Sequence, residues 1–273
     1  MSLVTAAAKA DMAKKLRVGL AASPVLIGLF ANSPFAAGRP SGYLSSREQI
    51  WANTDPDRCG IVPGALEEGF GYRQYAEYAV DVPMFFIHRD GHYRDYAGRS
   101  FRRFMAEGLD GHHATQEDWM LHLTTIFPEV RLKTYLELRM CDAGPREMIC
   151  ALAALTRGLF YDDTALEDAL HLLREVKAAQ FPQALDDAAR WGLQADLLDR
   201  PLREWARDLL AIASEGLKRL NAVHGFSRDE RIYLAPLENI VTTGKSRAAL
   251  LMDLYHGAWH QNLDPLFTQS YFH

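Results

Sequence analysis

Apolar residues near the beginning of the chain recur with the spacing of buried α-helices. This spacing predicts one helix over residues 9–22 and a second that begins at Pro24 and ends near Asn32, because proline is well tolerated in a first helical turn. Ser23 and Pro24 interrupt the apolar run 18–30, whereas the apolar core of a signal peptide is continuous. We therefore predict two consecutive buried helices, with no export signal and no membrane span.

The middle of the chain carries a β-hairpin pattern. Residues 85–88 and 92–96 are rich in aromatic and polar strand formers, and Asp90-Gly91 lies between them. Asp-Gly favours the tight turn that connects two antiparallel strands. The pattern predicts a hairpin over 85–96.

Residues 131–139 alternate between polar and apolar side chains. The polar positions are Arg131, Lys133, Tyr135, Glu137 and Arg139, and the apolar ones are Val130, Leu132, Leu136, Leu138 and Met140, with Thr134 the one polar exception on that face. A period of two residues is typical of a half-buried strand. We predict one long strand whose apolar face packs on helices and whose charged face either meets water or lines a site.

The chain is predominantly helical after Pro145. Helical spacing predicts the segments 146–160, 164–179, 183–191, 202–220, 229–242 and 246–255. A small sheet followed by helices is typical of the α+β class. We expect one domain over 1–273, with the sheet and substrate loops in 1–145 and the helical part in 146–273.

Composition restricts the class of protein further. The 273 residues are 48% hydrophobic, and 30 basic against 35 acidic residues give a net charge of −5. These values exclude a disordered chain and argue against nucleic-acid binding, which needs a basic surface. Cys59, Cys141 and Cys150 form no CxxC pair, which favours reduced thiols and a cytoplasmic location.

The segment 32–51 combines glycine-rich loop residues with a basic side chain. Gly38 and Gly42 permit a close approach of the backbone to a ligand, and Arg47 offers a fork of donors to a carboxylate. The same pattern is typical of a helix end followed by a surface loop. Composition alone leaves both interpretations open.

The charged face of 131–139 also has two interpretations. Glu137 and Arg139, with Arg131 alongside, suit a site for Mg²⁺ and a nucleotide, because a carboxylate binds the hard cation and arginine neutralises phosphoryl oxygens. A charged strand face in an exposed sheet is the alternative.

Several segments together resemble a known family in sequence and order. They are Asn32-Ser33-Pro34-Phe35 with the loop to Ile50-Trp51, the helix 10–20, and residues 81–85, 122–133, 136–139 and Tyr255 to Trp259. These segments resemble the glutamate–cysteine ligase type 2 family, in particular its plant and proteobacterial branch. The resemblance extends from about residue 10 almost to the end of the chain.

The resemblance implies an ATP-dependent ligase with part of a glutamine-synthetase-like antiparallel sheet, here the hairpin and one long strand. With ATP and Mg²⁺, the γ-carboxylate of glutamate would become an acyl phosphate, which the cysteine amine then attacks. The product would be γ-glutamylcysteine, the first intermediate of glutathione synthesis. The alternatives are a non-catalytic binding or assembly module with the same fold, and a ligase that uses another amine acceptor.

The resemblance also implies roles for individual residues that bind the amino-acid substrates. Arg47 matches an arginine that contacts the amino-acid substrate, and Asn32 and Trp51 belong to the same substrate-binding segment. Phe85 matches a position where the plant branch usually has a tyrosine in the cysteine pocket. The aromatic wall is kept here without its hydroxyl group, which leaves the amine acceptor open.

A second set of roles concerns the nucleotide and the metal. The Glu-x-Arg motif implies that Glu137 is a metal ligand and Arg139 a phosphate contact, with Arg131 supporting glutamate or phosphate binding. Cys150 matches a cysteine of a regulatory disulfide in the plant branch. Its partner would precede this chain, so we expect a free thiol.

Members of the family are longer on the N-terminal side, where they supply further strands and metal-binding carboxylates. We therefore expect either self-association or a separate N-terminal half as a partner. The expected ligands are glutamate, cysteine and ATP, with neither nucleic acid nor membrane.

Overall fold

A computed structural model describes residues 6–225 and 229–268. The chain divides into two compact units. Unit one comprises the described residues of Met1–Leu20 and Trp51–Arg139, and unit two comprises Ala21–Ile50 with the described residues of Met140–His273. The expectation of one domain stays a prediction, and each unit is described by itself.

Helices dominate the described part of the chain. The α-helices are α1 (Ala6–Ala21), α2 (Ser23–Phe30), α3 (Ser46–Ala52), α4 (Tyr72–Asp81), α5 (Phe101–Glu107), α6 (Gln116–Thr124), α7 (Arg146–Phe160), α8 (Asp163–Leu172), α9 (Phe181–Trp191), α10 (Leu202–His224), α11 (Ala235–Thr243), α12 (Arg247–His256) and α13 (Asp264–Thr268). Short 3₁₀ helices cover Ala178–Gln180, Gly192–Gln194 and Glu230–Leu234. Within 6–225 and 229–268, no helix combines the length and the apolar character of a membrane span.

The strands are short and occur in pairs. They are β1 (Phe35–Ala36), β2 (Arg39–Pro40), β3 (Cys59–Gly60), β4 (Phe86–Arg89), β5 (His92–Asp95), β6 (Phe127–Pro128), β7 (Val130–Leu132), β8 (Leu136–Leu138), β9 (Asp196–Leu197) and β10 (Arg200–Pro201). The pairs β1–β2, β4–β5, β7–β8 and β9–β10 are antiparallel, and β3–β6 is parallel. The predicted α+β class with a helical C-terminal half is confirmed.

The core of unit two forms where small residues let helices approach closely. In α2, which is buried along its whole length, an added Cβ on Gly28 would lie 2.9 Å from the Gly192 backbone. An added Cβ on Gly158 of α7 would lie 2.3 Å from the Ala213 carbonyl of α10. Gly158 is therefore a packing residue within a helix, since any side chain there would force the two helices apart.

The β4–β5 hairpin of unit one is formed as the Asp-Gly pattern predicts. Asp90 and Gly91 both adopt positive φ, at 52° and 77°, which the tight turn requires. A buried cluster supports the hairpin, and its members are Met84, Ile87, Tyr96, Phe101 and Phe104. This cluster also fixes the segment that carries Phe85.

The prediction of one long strand over 131–139 is wrong. The segment forms two strands, β7 and β8, and residues 133–135 connect them. Arg131 is directly opposite Glu137 in the register. Residues an even number of positions apart share a face in one strand, and paired residues share a face in a hairpin, so alternation cannot distinguish the two.

The apolar face of the β7–β8 hairpin packs as expected on a helix of unit one. An added Cβ on Gly19 would lie 2.9 Å from a methyl group of Val130 and 3.0 Å from one of Leu138. On the same unit, the Leu132 amide donates a 3.0 Å hydrogen bond to the Tyr75 hydroxyl, which is buried. Burial raises the pKa of Tyr75 to about 12. These contacts hold the opposite, charged face of the hairpin in place.

Candidate functional site

The predicted site residues fall into two groups, one in each unit. In unit one, Arg131, Glu137 and Arg139 form what we call the charged cluster. Arg131 donates to Glu137 Oε2 from Nη2 at 2.6 Å and from Nε at 3.0 Å, and Arg139 Nη1 donates to Oε1 at 3.0 Å. The hairpin register creates this cluster because it sets Arg131 opposite Glu137.

The charged cluster is partly shielded from water. The side chains of Arg131, Glu137 and Arg139 are 11%, 29% and 14% exposed. Burial by itself would raise the pKa of Glu137, but hydrogen bonds and positive charge from the two arginines outweigh it and lower the pKa. Glu137 is therefore ionised at neutral pH, and two guanidinium groups against one carboxylate leave one net positive charge.

Two aromatic rings pack beside the charged cluster. The Arg139 guanidinium carbon lies 5.1 Å from the ring centroid of Trp51 and 5.2 Å from that of Phe127. The two rings are 5.2 Å apart. Such distances allow cation–π attraction, which limits the motion of the guanidinium group. Trp51, predicted to bind substrate, thus lies where it supports Arg139.

The described residues do not make a complete metal site. No group of three His, Cys, Asp or Glu side chains within 6–225 and 229–268 could hold a metal ion. Both carboxylate oxygens of Glu137 accept from arginines. Mg²⁺ can bind through one or two carboxylates with water and phosphate, but one carboxylate already held by two cations is a poor ligand set. The metal role of Glu137 stays a prediction.

Phe85 lies on a buried arginine that the sequence analysis missed. The Arg58 guanidinium carbon is 3.6 Å from the Phe85 ring centroid. Arg58 is 2% exposed and is held by Asp55 at 2.5 Å and by the carbonyl oxygens of Pro83 and Thr125. Phe85 itself is 37% exposed. The ring therefore packs on an arginine that is fixed in place, and part of the ring is accessible to solvent.

In unit two, the side chain of Asn32 is engaged by the protein itself. Its Nδ2 donates to the Ala143 carbonyl at 2.8 Å, and its Oδ1 accepts from Arg247 Nε at 3.4 Å. An amide side chain held at both ends is fixed in orientation. Asn32 therefore shapes the loop that follows it, and its predicted role in substrate binding stays a prediction.

Arg47 combines a fixed backbone with a buried terminal nitrogen. Its amide donates to Ser33 Oγ at 3.3 Å. Its Nη1 is buried and has no hydrogen-bond partner within the described part of the chain. A buried donor without an acceptor is unfavourable, which is compatible with an anionic ligand at this point.

Asp142 is a second residue that the sequence analysis missed. It is 9% exposed and accepts hydrogen bonds from the Asn32 amide, the Ser33 hydroxyl and the Ser45 hydroxyl. Its sequence neighbours Cys141 and Ala143 are half-buried and exposed, and an isolated acidic residue in such a segment carries no spacing signal. Only the folded chain brings its three donors together.

Cys59, Cys141 and Cys150 form no disulfide within the described residues, and all three are partly buried. Burial raises the pKa of Cys59 in unit one. The thiol form of Cys59 is therefore favoured at neutral pH.

Comparison with known proteins gives consistent results along nearly the whole chain. The profile of glutamate-cysteine ligase family 2 (GCS2) matches residues 4–269. The chain is 43% identical over 264 residues to a protein of Solanum lycopersicum named glutamate–cysteine ligase, chloroplastic, covering 96% of this chain and 49% of that protein. It is 42% identical to the Arabidopsis thaliana protein of that name, with the same coverage. An Oryza sativa subsp. japonica relative, glutamate–cysteine ligase A, chloroplastic, is 38% identical over 262 residues, which is 95% of this chain and 52% of the relative.

These comparisons correct one expectation and confirm another. The predicted cytoplasmic location is contradicted, because the curated relatives are named chloroplastic. Reduced thiols do not distinguish the two compartments, which is why cysteine content misled the prediction. The chain spans about half the length of these relatives. The predicted relationship is confirmed: the chain belongs to glutamate-cysteine ligase family 2.

Proposed function

We propose that this chain is part of an ATP-dependent ligase that joins the γ-carboxylate of glutamate to the amine of cysteine. The product would be γ-glutamylcysteine, made in the first step of glutathione synthesis. The observation that carries the proposal is the family match over residues 4–269, with identities of about two fifths to proteins named glutamate–cysteine ligase. The cosubstrate would be ATP, used with Mg²⁺.

The charged cluster suits the phosphoryl-transfer step of such a reaction. ATP would supply the phosphoryl group that activates the γ-carboxylate, and both reactants are anions. Arg131 and Arg139 offer positive charge that stabilises the transferring group, while Glu137 holds both guanidinium groups in one orientation. Such transfer needs positioning and charge more than a nucleophilic side chain.

Arg47 suits the recognition of glutamate. A guanidinium group binds a carboxylate through two parallel hydrogen bonds, and the buried Nη1 of Arg47 lacks an acceptor within the described residues. We propose that a carboxylate of glutamate supplies that acceptor. An Arg47→Lys variant would keep the charge and lose the fork, so it should bind glutamate more weakly.

We also propose that full activity requires the part of the family that this chain does not cover. The test measures glutamate- and cysteine-dependent ADP release by the chain alone, and by the chain mixed with the uncovered part of the Solanum lycopersicum relative. We expect a rate well above the sum of the separate proteins, and none without cysteine. If both proteins are folded by circular dichroism and the mixture is no faster, the proposal is wrong.

A ligase with a different amine acceptor is the second candidate, and Phe85 favours it. The ring rests on Arg58 and offers no hydroxyl group to a thiol or an amine. A panel of amino-acid acceptors separates the two candidates, and a clear preference for cysteine eliminates this one. Phe85→Tyr adds the hydroxyl group that the plant branch usually has, so it should lower the KM for cysteine if cysteine is a poor acceptor.

A non-catalytic assembly module makes a different prediction. Calorimetry of the chain with Mg-ATP and with glutamate would then detect no binding of either ligand. Binding of both would support the ligase.

A further inference from the structure

We propose that Asp142 is a positioning residue that fixes Arg47 and the loop 32–47 for ligand binding. The proposal rests on the proposed function in one respect, the role of Arg47 toward glutamate. The contacts of Asp142 carry the rest, and all of them lie within unit two.

Asp142 joins the two ends of the loop directly. Its Oδ2 accepts from the Asn32 amide and from the Ser33 hydroxyl, each at 2.7 Å, and its Oδ1 accepts from the Ser45 hydroxyl at 2.8 Å. The carboxylate thus bonds residues at the beginning and near the end of the loop. The Ser46 amide also donates to the Ser33 carbonyl, at 3.0 Å, so a backbone hydrogen bond joins the same two ends of the loop.

The two serines transmit this constraint to the backbone that follows. Ser33 Oγ accepts from the Arg47 amide at 3.3 Å, and Ser45 Oγ accepts from the Glu48 amide at 3.4 Å. Ser45 directly precedes α3, where a serine oxygen commonly caps the first amides of a helix. Because each hydroxyl donates its one proton to Asp142, its oxygen is left to accept from the amide.

The chemistry of the position requires a carboxylate. Three donors converge on Asp142 within hydrogen-bonding distance, and an ionised carboxylate is a pure acceptor with about four lone-pair sites. An asparagine at this position would present one oxygen and one NH₂ group. Its oxygen could still accept from the Asn32 amide and the Ser33 hydroxyl. Its NH₂ group would donate to the Ser45 oxygen and could not accept from the Ser45 hydroxyl.

Arg47 depends on this arrangement for its orientation. Its Nη1 has no protein acceptor within the described residues, so no ion pair directs that end of the side chain. Its backbone is held through Ser33, and Ser33 is held through Asp142. Removing the carboxylate should therefore release Arg47 without removing any group that would touch the ligand.

The first test is amide hydrogen exchange on the full chain. In Asp142→Ala we expect the amides of Asn32, Arg47 and Glu48 to exchange about tenfold faster or more, because their acceptors are lost or freed. Amides of α10 should be unchanged, and Asp142→Asn should restore part of the protection.

The matched control removes a carboxylate of the same unit whose partner among the described residues is a surface lysine. Asp253 pairs with Lys245 Nζ at 2.6 Å, and both side chains are more than half exposed. Asp253→Ala should leave the three loop amides unchanged. The proposal is overturned if exchange at Arg47 is the same in Asp142→Ala and the wild type, or if amides accelerate uniformly throughout unit two.

The second test measures glutamate affinity by calorimetry, with Arg47→Ala beside Asp142→Ala. We expect both variants to bind glutamate about tenfold more weakly or worse, with the affinity for Mg-ATP unchanged. If Arg47→Ala weakens binding and Asp142→Ala does not, Asp142 has no positioning role. If Arg47→Ala has no effect, the proposed role of Arg47 fails, and the exchange experiment still decides whether Asp142 holds the loop.

Discussion

Glu137 and Asp142 are carboxylates a few positions apart in the sequence, yet the fold surrounds them in opposite ways. Glu137 accepts from two arginine side chains and is 29% exposed. Asp142 accepts from one amide and two serine hydroxyl groups and is 9% exposed. One carboxylate balances charge on long side chains, and the other binds neutral donors on or next to the backbone.

This difference indicates which of the two carboxylate sites can rearrange when a ligand binds. The guanidinium groups around Glu137 sit on rotatable side chains, and an anion can compete for them without unfolding the hairpin. The donors around Asp142 belong to the loop backbone and its serines, so their release changes the loop itself. We therefore expect an anion to be able to replace the Glu137 carboxylate as a partner of the arginines, whereas the Asp142 network is a rigid support.

The largest effect should come from Asp142→Ala. The change leaves the half-buried Asn32 amide, the Ser33 hydroxyl and the buried Ser45 hydroxyl without acceptors, and should lower the free energy of unfolding by about 2–4 kcal/mol. Denaturant titration measures this value. Asp253→Ala, which breaks a surface pair, should cost less than about 1 kcal/mol. Equal losses in the two variants would contradict the interpretation of a rigid support.

Glu137→Gln should have an intermediate effect of about 1–2 kcal/mol. It removes the negative charge between Arg131 and Arg139, but the glutamine amide keeps one oxygen as an acceptor, and water can reach the partly exposed position 137. The same denaturant titration applies. A loss as large as that of Asp142→Ala would mean that the charged cluster is as rigid as the Asp142 network.

The pH dependence of the unfolding free energy should differ between wild type and Glu137→Gln, because only the wild type carries a titrating carboxylate at this position. The arginines lower the pKa of Glu137 in the folded protein. Its stabilising contribution is therefore complete above the unfolded-state pKa of about 4.3. The contribution is lost as the pH falls through the lower pKa of the folded state. The difference in unfolding free energy between wild type and Glu137→Gln should be constant near neutral pH and shrink below about pH 4. A difference that grows on acidification would reverse the assigned direction.

The smallest effect should be that of salt. Raising ionic strength from about 0.05 to 0.5 M should reduce the cost of Glu137→Gln by a few tenths of a kcal/mol, since the cluster is partly open to solvent. The cost of Asp142→Ala should hardly change, because its donors are neutral. If salt alters both costs alike, the contrast between charged and neutral partners does not explain them.

Local pattern predicted most elements of the fold. The helices near the beginning of the chain, the Asp-Gly hairpin and the helical C-terminal half all form, because periodicity and turn residues reflect contacts within a few positions. The prediction of one strand over 131–139 was wrong, since a hairpin and a continuous strand produce the same alternation. The segment 229–242 was predicted as one helix and forms a 3₁₀ turn over Glu230–Leu234 followed by α11.

The contact partners of the site residues could not be predicted from the local sequence pattern. Phe85 was chosen from the resemblance, but nothing near it in sequence indicated that Arg58 would lie beneath its ring. Arg131, Glu137 and Arg139 were chosen as one charged face, and the hairpin register decided that the two arginines share one carboxylate.

By itself, the sequence determined most of the elements, the α+β class and the family, because these follow from spacing and motif order along the chain. The tertiary structure alone decided which groups each carboxylate meets. Asp142 bonds residues that lie 97 to 110 positions earlier in the chain. No local periodicity reaches that far, since such pairs form only when helices and loops pack around a common core.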